Sequence, residues 1–506
     1  MRFTRTRLWV SLLLLVALCL RLRGLQHMEF KRDELQALRL GMNLLADRPW
    51  ATAAPWPRTG MLSSKGIANA PLFNHVVALF WALTHNPVGA ALLVALTNWL
   101  CLPALYVWAK RTIGPTRALV FLALIAVSPF AVAYSRKLWA QDLLLPGLTV
   151  LLFGLARLRG ATFWSGLGLA LLGLLPVTQL HQSGPIFAVV LGLAVAIQCA
   201  LDRRDGRLQT IPPRPDLRES ALIAAGLGLH AFFVIPYLRY LLTLPPEVLV
   251  HPARLPMLSA EYLARLLLHA VPTDLLRFIE GDRSGFFHDR ETTGRLGWLA
   301  RNVGYYGAIA TGAPLLAAGL WHWVRAPRTI PHLGLAWMIF VGAFIALRIP
   351  AEPHYVLILY PLPFLLMADG FALPSSAPRR LVDVWLPRLR WVHIALLLVL
   401  TCSYQSWLFA RSGSPGDYGV AYSQRLAQAD ALLARIEARD WAPEPPLDAS
   451  LRYRLIPEEV IFLADWRAGQ PPAFPDTLRL REGWEPEDGG PRQYRWELVN
   501  LWPRHK

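Results

Sequence analysis

Apolar residues gather along this chain into long blocks separated by short basic or long mixed segments. Blocks at 8–23, 89–109, 117–134, 142–158, 162–178, 185–201, 220–242, 303–324, 332–348, 355–371 and 391–409 have the length that crosses a hydrocarbon core of about 30 Å. The pattern predicts an all-α polytopic membrane protein with about eleven transmembrane helices. The first block follows the basic start MRFTRTR and is followed by Arg21 and Arg23, not by a small-residue cleavage site, so it reads as a retained span. One apolar stretch, 71–85 (PLFNHVVALFWALTH), is too short to cross. It predicts an interfacial or re-entrant helix on the outer face.

Composition agrees. Of 506 residues, 54% are hydrophobic and 17% charged. The net charge of +17 sits largely in short loops beside the blocks, which argues against nucleic acid as its cause. With the N-terminus inside, the short inner segments carry 19 Lys and Arg, against two in the short outer segments, Arg136 and Lys137. The positive-inside rule therefore orients the chain with a cytoplasmic N-terminus and an extracytoplasmic C-terminus in an inner or plasma membrane. The four cysteines, Cys19, Cys101, Cys199 and Cys402, lie in or beside apolar blocks without ligand spacing.

Three segments then face outward: 24–88, 243–302 and 410–506. The expected organisation is a transmembrane domain over 1–409 and an outer C-terminal domain over 410–506. The latter begins with an amphipathic stretch, 421–436, and ends in strand-like pieces such as EVIFLADW and RQYRWELVN. It predicts a small α+β appendage.

Four outer-face clusters carry candidate chemistry. Asp33 and Glu34 open an amphipathic helix with Leu35, Leu38, Met42 and Leu45 at helical spacing. Favourable charge at a helix start is the simple structural reading; a membrane-edge base is the functional one. Lys65 precedes Asn69, Pro71 and the membrane-lying helix, and reads either as a solvated anchor or as a cation for an anionic group. Ser135, Arg136 and Asp142 lie in a short turn between two spans. A carboxylate near the hydrocarbon needs a partner, for which Arg136 or Lys137 is close in sequence. His354 and Tyr355 enter a span broken by Pro361 and Pro363, as an interfacial anchor or a polar binding edge.

In order and membrane side these clusters resemble the GT-C superfamily of integral-membrane glycosyltransferases, in its protein O-mannosyltransferase and aminoarabinose-transferase branch. The resemblance is carried by the acidic pair Asp33-Glu34, by Lys65, Asn69, Pro71 and Leu72, by Ser135, Arg136 and Asp142, and by His354, Tyr355 and Pro361. It runs over about residues 8–160 and more loosely to 371. Two positions depart: Ala70 stands where the pattern has a first proline, and His354 where it has arginine. The resemblance implies transfer of a sugar from a polyprenyl-phosphate donor to a lipid, glycan or protein acceptor, by an inverting displacement. In that scheme Asp33 is the general base, with Glu34 beside it orienting the loop. Lys65, Arg136, His354 and Tyr355 meet the donor phosphate, and Asp142 and Asn69 support them. No cofactor is required; a divalent metal is compatible but not indicated, since His251, His269, Asp282, His288, Asp289 and Glu291 match no ligand spacing.

The competing class is a polytopic transporter or lipid flippase. It calls for ionisable groups deep in the spans, where His230 and Asp369 are the main examples.

Overall fold

The computed structural model describes residues 2–46, 59–60, 68–158, 162–181, 183–204, 214–245, 271, 283–325, 339, 341–342, 357–369, 385–414, 418–438, 453–454, 457–468, 478–486 and 492–500. Helices are α1 (Arg2–Leu22), α2 (Arg32–Ala46), α3 (Leu72–Thr84), α4 (Pro87–Ile113), α5 (Pro115–Val127), α6 (Pro129–Ala133), α7 (Leu144–Ala156), α8 (Phe163–Leu180), α9 (Gly184–Arg204) and α10 (Leu217–Leu242). Further helices are Gly294–Arg325, Leu362–Asp369, Leu386–Ala410, Tyr422–Ala438 and Glu458–Ala468. Helical residues fall within each expected block, but 117–134 is broken at Ser128 into α5 and α6, 355–371 carries only Leu362–Asp369 among the described residues, and 332–348 lies mostly outside them.

Among the described residues, five helices are long and apolar enough to cross a membrane: Pro87–Ile113, Phe163–Leu180, Leu217–Leu242, Gly294–Trp323 and Leu386–Ala410. The chain is a multi-pass helical membrane protein. Helix α3 has 13 residues, about 20 Å at the helical rise and short of the hydrocarbon core.

The chain divides into two compact units. The first comprises Met1–Arg23, Ala37–Asp274 and Gly304–Thr401. Its helices are closed by local signals. Asn86 caps α4 by accepting from Val88 and Gly89 (2.8 and 3.3 Å), with Pro87 at the first position. Asp216 and Glu219 form a reciprocal capping box on α10. Glycines set the packing of α7 on α8. A Cβ on Gly173 would lie 2.2 Å from the Leu151 nitrogen, and one on Gly154 2.4 Å from the Ala170 nitrogen. Membrane helices lack a hydrophobic driving force between them, so close backbone approach through small residues supplies the attraction.

The second unit comprises Gly24–Gln36, Leu275–Val303 and Cys402–Lys506. Helix Tyr422–Ala438 packs on helix Glu458–Ala468, and Arg467 donates to Asp430 at 3.2 Å. Strands β1 (Gly413–Ser414) and β2 (Gly419–Val420) pair antiparallel. Strands β3 (Tyr453–Arg454), β4 (Leu478–Pro486) and β5 (Arg492–Asn500) form an antiparallel sheet in that order, with Leu478 opposite Asn500 and Pro486 opposite Arg492.

Candidate active site

In the second unit, the chain leaves α1 through Gly24, which adopts φ +58° and sits where a Cβ would strike the Phe409 ring at 2.6 Å. A left-handed residue there suits glycine. Residues 28–30 then run against the start of helix Tyr422–Ala438. Glu29 bridges Ala421 antiparallel, and the Tyr422 N–H donates to the Met28 carbonyl at 2.9 Å. The Phe30 ring meets Tyr422 edge-on at 5.2 Å, and His27 stacks on Phe409 at 4.8 Å. The Tyr418 hydroxyl donates to the His27 carbonyl. Burial pushes the Tyr422 phenol up to about 12; Arg467 opposes this and Asp430 adds to it. The platform under the acidic pair is thus made from residues nearly 400 positions later.

The two acidic residues do different things. Glu34 is 1% exposed, and its Oε2 accepts the Lys31 N–H at 2.9 Å. That is the return half of a capping box at the start of α2. The Lys31 ammonium pairs with the buried Glu29 carboxylate. Asp33, one residue into the same turn, is half-buried, and its carboxylate has no hydrogen-bond or ionic partner among the described residues. Glu34 holds the turn, and among the described residues Asp33, at the same helix N-terminus, is left with its oxygens uncommitted.

In the first unit, the segment after α6 carries Ser135, Arg136, Lys137 and Asp142. Arg136 is 6% exposed, and its Nη2 donates to the Arg23 carbonyl at 2.7 Å. The Lys137 ammonium lies 4.2 Å from the Trp139 ring centre and 5.2 Å from that of Tyr134, a cation–π position. Ser135 Oγ donates to the Val132 carbonyl at 2.9 Å. Asp142 is buried in the turn 140–143, and its main-chain carbonyl accepts from Asn98 at 2.7 Å.

The Asn69 carbonyl accepts from Gly60 at 2.6 Å. Next to it, Ala68 is gripped from both sides. Its carbonyl accepts from the Tyr237 hydroxyl at 2.9 Å, and its N–H donates to that of Tyr240 at 3.2 Å. Those tyrosines of α10 were not legible as site supports, because only folding brings position 68 to positions 237 and 240. Lys65, His354 and Tyr355 lie outside the described residues. Pro361, from the same late motif, helps line an apolar pocket with Trp108, Leu148, Phe187 and Ile358.

Arg21, a span flank by its place in the sequence, is fully buried. Its Nη1 donates to the Ala126 carbonyl at 3.2 Å and its Nη2 to that of Ile125 at 3.4 Å. In the second outer segment, His251, His269 and Asp282 lie outside the described residues. Asp289 caps its own turn, accepting from Glu291 and Thr292 at 3.0 and 2.9 Å. Arg301 closes over that turn by donating to the Phe286 carbonyl at 2.8 Å. Among the described residues, no three His, Cys, Asp or Glu side chains gather as a metal site.

No family model matches the chain, and no curated protein sequence matches it. Among solved structures, the chain is similar to ArnT and to an oligosaccharyltransferase. ArnT from Cupriavidus metallidurans bound to undecaprenyl phosphate is 15% identical, with a TM-score of 0.48 over 92% of this chain and 85% of that one. The same enzyme in the apo state gives 14% and 0.49, over 92% and 84%. The Archaeoglobus fulgidus oligosaccharyltransferase in its apo form gives 13% and 0.42, over 87% and 58%.

Proposed function

We propose that this protein is a membrane glycosyltransferase that moves a sugar from a polyprenyl-phosphate donor to an acceptor on the outer face of the membrane, with inversion. The observation that carries the reading is the division of labour in the acidic pair. Glu34 is consumed in capping α2, while the half-buried Asp33 carboxylate keeps its oxygens uncommitted among the described residues. A carboxylate in that condition suits a general base, and a positioned base contributes about 10²–10⁴ in rate.

Asp33 takes the proton from an acceptor hydroxyl or amine as that atom attacks the anomeric carbon. The bond from that carbon to the phosphate oxygen breaks, and the electron pair leaves with the polyprenyl phosphate. Arg136 offers a guanidinium fork for the departing phosphate. Lys65 and His354 add charge and Tyr355 a hydroxyl to the same group, with Asp142 and Asn69 supporting the segments that bear them. Fixed cations at developing charge need no reorganisation during reaction. The reading keeps the N-terminus cytoplasmic, about eleven spans, and residues 410–506 outside as an acceptor-side domain. It requires no cofactor.

The test is reconstitution of purified protein in vesicles with polyprenyl-phosphate sugars. Mass spectrometry of lipids and glycans from a deletion strain supplies the candidate sugar. Donor-dependent transfer supports the reading. A deletion strain with unchanged envelope glycans, together with vesicle transport of the intact lipid, would replace it by the flippase class.

A further inference from the structure

Helix α5 ends at Val127, two residues before Pro129, and the chain restarts as α6 with Ser128 extended between them (φ −61°, ψ 127°). A proline has no N–H, so the Ile125 carbonyl loses its ordinary helical donor, and the break strips Ala126 and Val127 of theirs. Orphan carbonyls in a lipid-embedded helix cost several kcal/mol each unless another group reaches them. Here three are covered by side chains. Arg21 donates to Ile125 and Ala126, at 3.4 and 3.2 Å. The Thr401 hydroxyl donates to Val127 at 2.6 Å. Arg21 is 0% exposed and has no carboxylate partner among the described residues. The negative end of the broken helix is what faces its charge.

The restarted segment is short and leads directly into the turn that carries Arg136. That guanidinium comes back to the carbonyl of Arg23, two residues beyond Arg21. Two arginines therefore close a loop: one from α1 onto the end of α5, one from the turn onto the end of α1. Changing how the break is capped changes the direction in which α6 departs, and with it the place of Arg136.

We infer that Arg21 is a positioning residue for the donor-phosphate turn, acting through Arg136 by holding the α5–α6 break. This rests on the proposed role of Arg136 in binding the donor phosphate. The planar fork of arginine meets two adjacent carbonyls at once; a lysine ammonium keeps the charge without that geometry.

The test uses full-length protein in detergent or vesicles, with Arg21→Lys, Arg136→Lys and the double variant. For Arg21→Lys, the donor KM rises about tenfold, with acceptor KM and kcat within about twofold. The double variant is no worse than Arg136→Lys alone, because Arg21 acts only through the guanidinium that Arg136→Lys removes. Hydrogen–deuterium exchange over residues 128–139 accelerates in Arg21→Lys, while exchange over α7 and α8 stays as in the parent. Additive losses in the double variant, or unchanged exchange over 128–139, would overturn the inference. Exchange that accelerates everywhere would overturn it too, leaving Arg21 a global stabiliser. The exchange readout is independent of activity, so a protein that transfers no sugar sinks the proposed function without deciding the role of Arg21.

Discussion

The Arg136 guanidinium donates to the carbonyl of Arg23 at 2.7 Å. The end of the first helix and the turn after the sixth are thereby joined, across 113 positions of sequence. Arg136→Ala removes this tie and a phosphate-facing fork together. Transfer is expected to fall about 10²–10³-fold, with Arg136→Lys between it and the parent. Donor and acceptor saturation curves check it. Equal loss of apparent affinity for both substrates would count against phosphate contact.

Asp33→Asn is expected to lower transfer about 10²–10⁴-fold while leaving thermal unfolding unchanged. No partner among the described residues loses a contact when the Asp33 oxygen is replaced. Near-parental turnover in this variant removes Asp33 as the base.

Glu34→Ala separates the pair. Losing the cap on Lys31 N–H costs about 0.5–2 kcal/mol of stability. The activity loss should be smaller than that of Asp33→Asn and should recover at lower temperature. Thermal melts run beside activity assays decide it.

Tyr422 makes the outer platform sensitive to alkali. Its folded-state pKa is raised from 10 to about 12, so folding favours the protonated phenol. That contribution is fully present below pH 10 and is lost as pH climbs through 12. Tyr422→Phe should flatten the decline of stability over this window. An identical decline in the variant would assign it to other groups.

Gly173→Leu places side-chain atoms where Leu151 backbone already lies, at 2.2 Å from the first added carbon. A loss of about 1–3 kcal/mol or more is expected. Gly192 has nothing within 4 Å, so Gly192→Ala should be neutral or gain about 0.5–1 kcal/mol. Unfolding in detergent compares the two.

Parts of the site were legible in the sequence for reasons of short range. Asp33 and Glu34 stand at the head of a helix because Leu35, Leu38 and the positions after them repeat at helical spacing, and a first helical turn takes acidic residues. Neighbours on a helix lie about 100° apart, so the two carboxylates leave the helix in different directions. Arg21 was illegible, since an arginine past the end of an apolar block reads as a flank until the broken end of α5 is placed beside it.

By itself the sequence determined what one-dimensional patterning controls. Blocks of apolar residues settled where helices run, because an unsatisfied backbone is too costly in lipid for any other local structure. Caps such as Asn86 and Asp216 fixed where helices begin. Tertiary structure alone decided which distant groups meet. Glu29 lies along Ala421, Ala68 between Tyr237 and Tyr240, and Arg21 under the carbonyls of Ile125 and Ala126. Each contact satisfies a backbone group that local structure left open, and no periodicity records which side chain will come to do so.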